Sequence, residues 1–117
     1  MIPTKYQLPA CWQGKTYEQP LIFNDRFRQE INLAGYTARM QVRASVDAED
    51  FLVELTTENN RIVIDAEQGS LMLVISAADT SDLTPGSYKY DLELISASGR
   101  VYCPIYGSFK VKAEVTR

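Results

Sequence analysis

The sequence predicts an all-β domain, a sandwich or barrel of seven to nine short, mainly antiparallel strands, and three observations carry that reading. Apolar and polar residues alternate with period two in at least five segments. Turn-forming residues punctuate the chain roughly every 8–12 positions. No stretch has the apolar spacing of an amphipathic helix of useful length. The 117 residues are one domain's worth, with no internal repeat, linker or low-complexity tract. Residues 1–117 therefore read as one domain with an extended N-terminal arm, 1–12.

The clearest element is a hairpin within Leu83–Phe109. Pro85-Gly86 makes a turn, since Pro pre-sets φ and Gly tolerates φ > 0. Tyr88, Tyr90, Leu92 and Leu94 then share one face, with Lys89, Asp91 and Glu93 on the other. Ser98-Gly99 turns the chain into a last strand, where Ile105, Gly107, Phe109 and Val111 alternate with Tyr106, Ser108, Lys110 and Lys112. Earlier elements follow the same logic. Thr16 to Phe23 is a strand whose Pro20 points to an edge or a bulge. Asn24 to Glu30, polar except for Phe27, is a loop, Ile31-Asn32-Leu33 a short extended piece and Ala34-Gly35 a turn. Tyr36, Ala38, Met40 and Val42 alternate with Thr37, Arg39, Gln41 and Arg43 in a half-buried strand. After the acidic loop Asp47–Asp50, the strand Phe51–Thr56 puts Phe51, Val53 and Leu55 on one face. Glu58-Asn59-Asn60 turns into Arg61–Ile64, Asp65–Gly69 is a loop, and Ser70–Ser76 is a strongly apolar strand of the central type. Ala77–Leu83 has room for one helical turn capped by Asp79 or Thr80. The expected core is Tyr36, Met40, Val42, Val53, Leu55, Ile62, Ile64, Leu71, Leu73, Ile75, Tyr90, Leu92, Leu94, Phe109 and Val111.

Composition narrows function mainly by exclusion. A net charge of −3 argues against a nucleic-acid footprint, and Arg26, Arg28, Arg39 and Arg43 are spread over a loop and a strand. No run reaches the length of an apolar membrane span, and MIPTKYQLPACW lacks the organisation of a secretory signal, so synthesis in the cytoplasm is expected. Two cysteines are too few for a disulfide framework; the expectation is reduced, partly buried thiols, the alternative a Cys11–Cys103 bridge between strand ends.

Chemistry is equally sparse. The chain has no histidine, which removes the commonest general base and metal ligand together. There is no glycine-rich phosphate loop. The carboxylates Asp47, Glu49, Asp50, Asp91 and Glu93 lie in loops or on a polar strand face, where solvation explains them. Asp47–Asp50 or Asp79…Asp82 as a weak Ca²⁺ site is the alternative, without the spacing of an EF-hand loop. The reading is a non-enzyme with no catalytic, cofactor-binding or metal-binding residues.

Two features remain as candidate contact sites. In the arm, Tyr6, Leu8, Pro9 and Trp12 are large and apolar yet precede the first clear strand. Such an arm either packs back over one end of its own sandwich or docks on a neighbouring subunit, where aromatic anchors are enriched. Four of the seven tyrosines crowd into the hairpin. Parity sends Tyr88 and Tyr90 to the core and leaves Tyr102 and Tyr106 as candidates for exposure, where tyrosines stack on a partner or a sugar ring.

Six segments together span most of the chain in order: QGKTYEQPLIF (Gln13–Phe23), INLAGYTARMQVR (Ile31–Arg43), LVELTTENNRIVI (Leu52–Ile64), LTPGSYKYDLEL (Leu83–Leu94), GRVYCPIYGSFKV (Gly99–Val111) and EVTR (Glu114–Arg117). They resemble a family of small proteins and domains encoded among the tail and baseplate genes of tailed bacteriophages and prophages, similar to the N-terminal domain of phage baseplate upper proteins. The resemblance implies an immunoglobulin-like antiparallel β-sandwich and a virion structural role in the tail, neck or baseplate. It implies other virion proteins as partners, and a homo-oligomer or repeated subunit. It transfers no catalytic or ligand residue. Baseplate upper proteins continue into linking and receptor-binding regions that this sequence does not contain, so a position in the particle does not follow. A capsid decoration protein and a free carbohydrate-binding module are the alternatives. Gly35 before a strand, Asn59-Asn60 at a hairpin and Gly107 inside a strand each fit the sandwich physically.

Overall fold

Period-two patterning resolves into two facing sheets. The structure, a computed structural model, describes residues 3–23 and 32–116. Over these residues the chain forms β1 (Thr4–Lys5), β2 (Cys11–Trp12), β3 (Tyr17–Ile22), β4 (Thr37–Arg43), β5 (Val53–Thr56), β6 (Ile62–Asp65), β7 (Ser70–Ile75), α1 (Ala77–Ser81), β8 (Gly86–Ile95) and β9 (Val101–Lys112). The larger sheet runs β1-β9-β8-β4-β5 with β2 also on β9; the smaller runs β3-β7-β6. The fold is an all-β sandwich of mainly antiparallel strands. Among the described residues only β1 and β2 run parallel to their partner. The loop expected at Asn24–Glu30, with Arg26, Phe27 and Arg28, and Ile31 after it, lies outside the described residues.

Inward residues of the two sheets make one core. Ala38, Met40 and Val42 of β4, Tyr90, Leu92 and Leu94 of β8, and Phe109 and Val111 of β9 face Leu71, Leu73 and Ile75 of β7. Each fully buried Leu, Ile or Phe contributes about 1.5–3 kcal/mol of transfer free energy. The Tyr17 ring meets Phe109 edge-on, centroids 5.6 Å apart, tying β3 to β9 across the layers. Tyr36 and Ile64, expected in the core, are half-buried and pack against it instead. Leu8, Cys11, Tyr17, Leu21, Leu33, Ala38, Leu83 and Ile105 join it beyond the expected set.

Two expectations are corrected. Phe51 does not share the face of Val53 and Leu55; it is 47% exposed. Val53 is the register partner of Val42, yet the Leu52 N–H also bonds the Val42 carbonyl, at 2.6 Å. Two residues facing one end the alternation before Phe51. Leu33 is buried just before the expected Ala34-Gly35 turn, its N–H on the Ala66 carbonyl and its carbonyl on the Tyr36 N–H, both at 3.0 Å. The helix cap is Ser76, whose hydroxyl accepts the Asp79 N–H at 3.2 Å. Asp79 instead pairs with Arg61 at 2.9 Å, and buried Thr80 donates to the Lys15 carbonyl at 2.8 Å.

Three sheet edges, β3, β5 and β9, are guarded individually, as exposed edges invite pairing with other chains. Pro20 sits on edge strand β3, as its missing N–H requires. On β5 the outward carbonyl of Glu54 accepts from Asn59 Nδ2 and Arg61 Nη1, and the Thr56 N–H donates to Asn59 Oδ1. The turn that leaves β5 thus seals its edge. The far edge, β9, is covered by residues of the arm.

Candidate functional site

The arm is built into the large sheet. Thr4 and Lys5 register with Ile105 and Tyr106, and Cys11 and Trp12 with Val111 and Lys112. Between these pieces the Tyr6 N–H donates to the Tyr106 carbonyl at 2.8 Å, the Tyr6 carbonyl accepts from the Tyr90 hydroxyl, and the Pro9 carbonyl accepts from Tyr17 Oη at 2.9 Å. Leu8 is 1% exposed and Cys11 fully buried. Of the arm residues picked out as contact sites, Leu8 is spent inside its own sandwich. Tyr6 at 40% and Trp12 at 47% keep substantial free surface, and Pro9 is exposed. The Lys112 ammonium stands 5.3 Å from the centre of the Trp12 ring, a cation–π contact on the sheet's outer face.

Tyr102 and Tyr106 do not form a pair. Register along β8–β9 runs Leu92 with Ile105 and then Leu94 with Tyr102, so Cys103 and Pro104 together face Glu93. This bulge shifts the alternation by one, and proline, which has no N–H to offer a ladder, suits it. Tyr102 therefore lies opposite core residue Leu94 and is half-buried, whereas Tyr106 lies opposite Asp91 on the outer face and is 43% exposed. An exposed row of two tyrosines is excluded. Parity counting missed the flip; Pro104 in mid-strand is the sequence signal that marks it.

The cysteines do not bridge: both are free thiols. Cys11 registers with Val111, eight residues along β9 from Cys103, a separation of about 26 Å, far beyond disulfide reach. Burial pushes the Cys11 thiol up to about 11. Among the described residues no three His, Cys, Asp or Glu side chains gather as metal ligands, and Asp79 is already engaged by Arg61.

A groove of about 400 Å³ runs over the outer face of the large sheet, lined by Arg39, Gln41, Arg43, Lys89, Asp91 and Glu93, with Ser45 and Val46 at its rim. Strand register fixes its charge pattern. Arg39 lies opposite Glu93 and is bonded to it at 2.6 Å; Gln41 lies opposite Asp91; Arg43 lies opposite Lys89. Gln41 donates to Glu54 at 2.6 Å, and Arg43 donates to Gln41 Oε1 and to the carbonyls of Ala48 and Glu49, holding the loop that overhangs the groove. Asp91 has its pKa raised, by desolvation first and by Glu93 next, against the pull of Arg39 and Arg43.

The chain matches no protein-family model and no characterised protein.

Proposed function

We propose that the protein is a non-enzymatic structural component of a bacteriophage virion, in the tail, neck or baseplate, acting as a homo-oligomer or repeated subunit bound to other virion proteins. The observation that most supports this reading is the strand order. β3-β7-β6 facing β9-β8-β4-β5 corresponds to the B-E-D and G-F-C-C′ order of an immunoglobulin-like Greek-key sandwich. The Tyr88 hydroxyl, early in β8, donates to the Thr84 carbonyl at 2.6 Å, the position and span of a tyrosine corner. Both features support the immunoglobulin-like sandwich that the resemblance to baseplate upper proteins implies.

The surfaces suit a scaffold that docks through faces. The outer face of the small sheet carries Pro20, Met72 and Val63 in one register row, with Ile22 beside them, 66% exposed. With β9, β5 and β3 each guarded, joining by strand addition at those edges is disfavoured. Leu8 and Cys11 anchor the arm at home, so its contribution to assembly rests on the free surfaces of Tyr6 and Trp12.

Mass spectrometry and imaging of purified particles from the encoding phage test the assignment. The chain should co-purify at a fixed copy number at one tail, neck or baseplate position. Its absence from particles overturns the reading, and a signal spread over the head identifies a decoration protein instead.

A further inference from the structure

We propose that the groove on the outer face of the large sheet binds a sugar bearing an anionic group, a carboxylate or a phosphate, with Arg43 and Lys89 taking the anion, Asp91 the ring hydroxyls, and Tyr106, which stands outside the groove's lining on the adjacent strand β9, one face of a ring that extends past Asp91. The starting point is an electrostatic misfit. Arg43 and Lys89 are directly opposed across β4 and β8, a like-charge pair that costs stability in an antiparallel sheet. Neither has an ion-pair partner among the described residues, whereas Arg39, two rows along, is neutralised by Glu93. An anion seated between the two cations relieves that repulsion. Arg43 is also held for the task. Its bonds to Gln41, Ala48 and Glu49 spend three of the five N–H groups of a guanidinium and fix the plane of the rest.

The neighbouring row supplies recognition of a different kind. Asp91 is two residues from Lys89 along β8, about 7 Å, with its side chain on the same face. It has no ion pair among the described residues and accepts bonds from hydroxyls. Tyr106 lies directly opposite it, about 5 Å away between Cβ atoms, with 43% of its surface free. Anion site, hydroxyl acceptor and aromatic face thus follow one another over the span of a single substituted ring. The volume is that of a small-ligand site, but its polar lining disfavours apolar ligands. A bare inorganic anion would leave Asp91 and Tyr106 unused, and a neutral sugar would leave the cations unmatched.

The test is a titration of the ¹⁵N-labelled chain, followed by amide shifts, with glucuronate, glucose 6-phosphate, glucose and sodium phosphate at equal ionic strength. Glucuronate or glucose 6-phosphate should give saturable shifts at Arg43, Lys89, Asp91 and Tyr106; which of the two does so separates a carboxylate from a phosphate ligand. Glucose and inorganic phosphate should bind at least about tenfold more weakly. Lys89→Glu should abolish the shifts and Tyr106→Ala weaken binding by about fivefold or more, both at exposed positions and with melting temperatures no lower than wild type. Should Lys89→Glu fail to fold, Lys89→Gln takes its place. Absence of saturable shifts with both sugar acids, inorganic phosphate binding as tightly as they do, or wild-type affinity in Tyr106→Ala each overturns the proposal. It is independent of the particle assignment: a virion protein with a silent groove refutes only the groove.

Discussion

The carbonyl oxygen of Tyr6 occupies the space in which residue 107 would carry a side chain. A Cβ built on Gly107 falls 2.5 Å from that oxygen and 3.1 Å from its carbon. The same carbonyl takes the Tyr90 hydroxyl, and the Tyr6 N–H reaches the Tyr106 carbonyl. Arm and last strand therefore meet backbone to backbone, a contact only glycine permits there. Gly107→Ala should lower stability by about 1–3 kcal/mol in urea unfolding, with faster amide exchange over residues 4–12. An unchanged midpoint would show that the arm is not seated on β9.

Tyr88 bolts the start of β8 to the turn before it. Tyr88→Phe removes the hydroxyl that reaches the Thr84 carbonyl and should cost about 0.5–1.5 kcal/mol, leaving the sheets intact by circular dichroism. A loss of several kcal/mol would mean that the ring, not the hydroxyl, carries the effect.

Leu92 is fully buried between β4 and β9. Leu92→Ala should cost about 2–5 kcal/mol, read from the denaturation midpoint. A cost below about 1 kcal/mol would mean that the site collapses around the smaller side chain.

Thiol labelling should discriminate between the two cysteines. Cys11 is fully buried, its pKa about 11, so the native protein should block it against iodoacetamide at neutral pH. Cys103, half-buried and raised in pKa chiefly by desolvation, should label slowly but first. Equal rates in native buffer would indicate that β2 detaches readily.

Two aspartates should shift stability in opposite directions with pH. Asp91 is held above its ordinary value of 3.8, so the fold favours its protonated form. Its stabilising contribution is complete below 3.8 and is lost as pH rises through the folded value. Asp91→Asn should therefore raise the melting temperature at neutral pH and change little at pH 3. Asp79 is held below 3.8 by its hydrogen bond to Arg61 and then by the Arg61 charge. Its contribution is present above 3.8 and fades as pH falls through the lowered value, so Asp79→Asn should lower the melting temperature at neutral pH and converge on wild type in acid.

Alternation made β4, β8 and most of β9 legible, because long half-buried strands repeat the signal many times. It failed where the repeat is short or broken. Cys11 belongs to a two-residue strand and Leu8 to the prolyl backbone between two such strands, too short for any period. Tyr102 lies beyond a one-residue bulge that inverts parity, and Phe51 beyond a two-to-one contact at Val42. Asp79 and Thr80 have side chains suited to capping, but Ser76 is the last residue with extended backbone before the helix and wins. The groove was invisible for another reason. Arg43, Lys89 and Asp91 sit on two strands 46 and more residues apart, and each alone looks like a solvated charge.

Among the described residues the arm's only sheet partner is β9, and that pairing sets a timetable. During synthesis residues 3–12 emerge long before residues 101–112 exist, so the first strands made must wait for the last. Until then Leu8 and Cys11 have no home in the core, and a nascent or prematurely released chain displays them to whatever is nearby. The same separation makes arm docking a long loop closure, to be completed after the sandwich has formed. A ribosome stalled before β9 should hold a chain whose N-terminal segment is still open to proteases, and release of the final strand should close it.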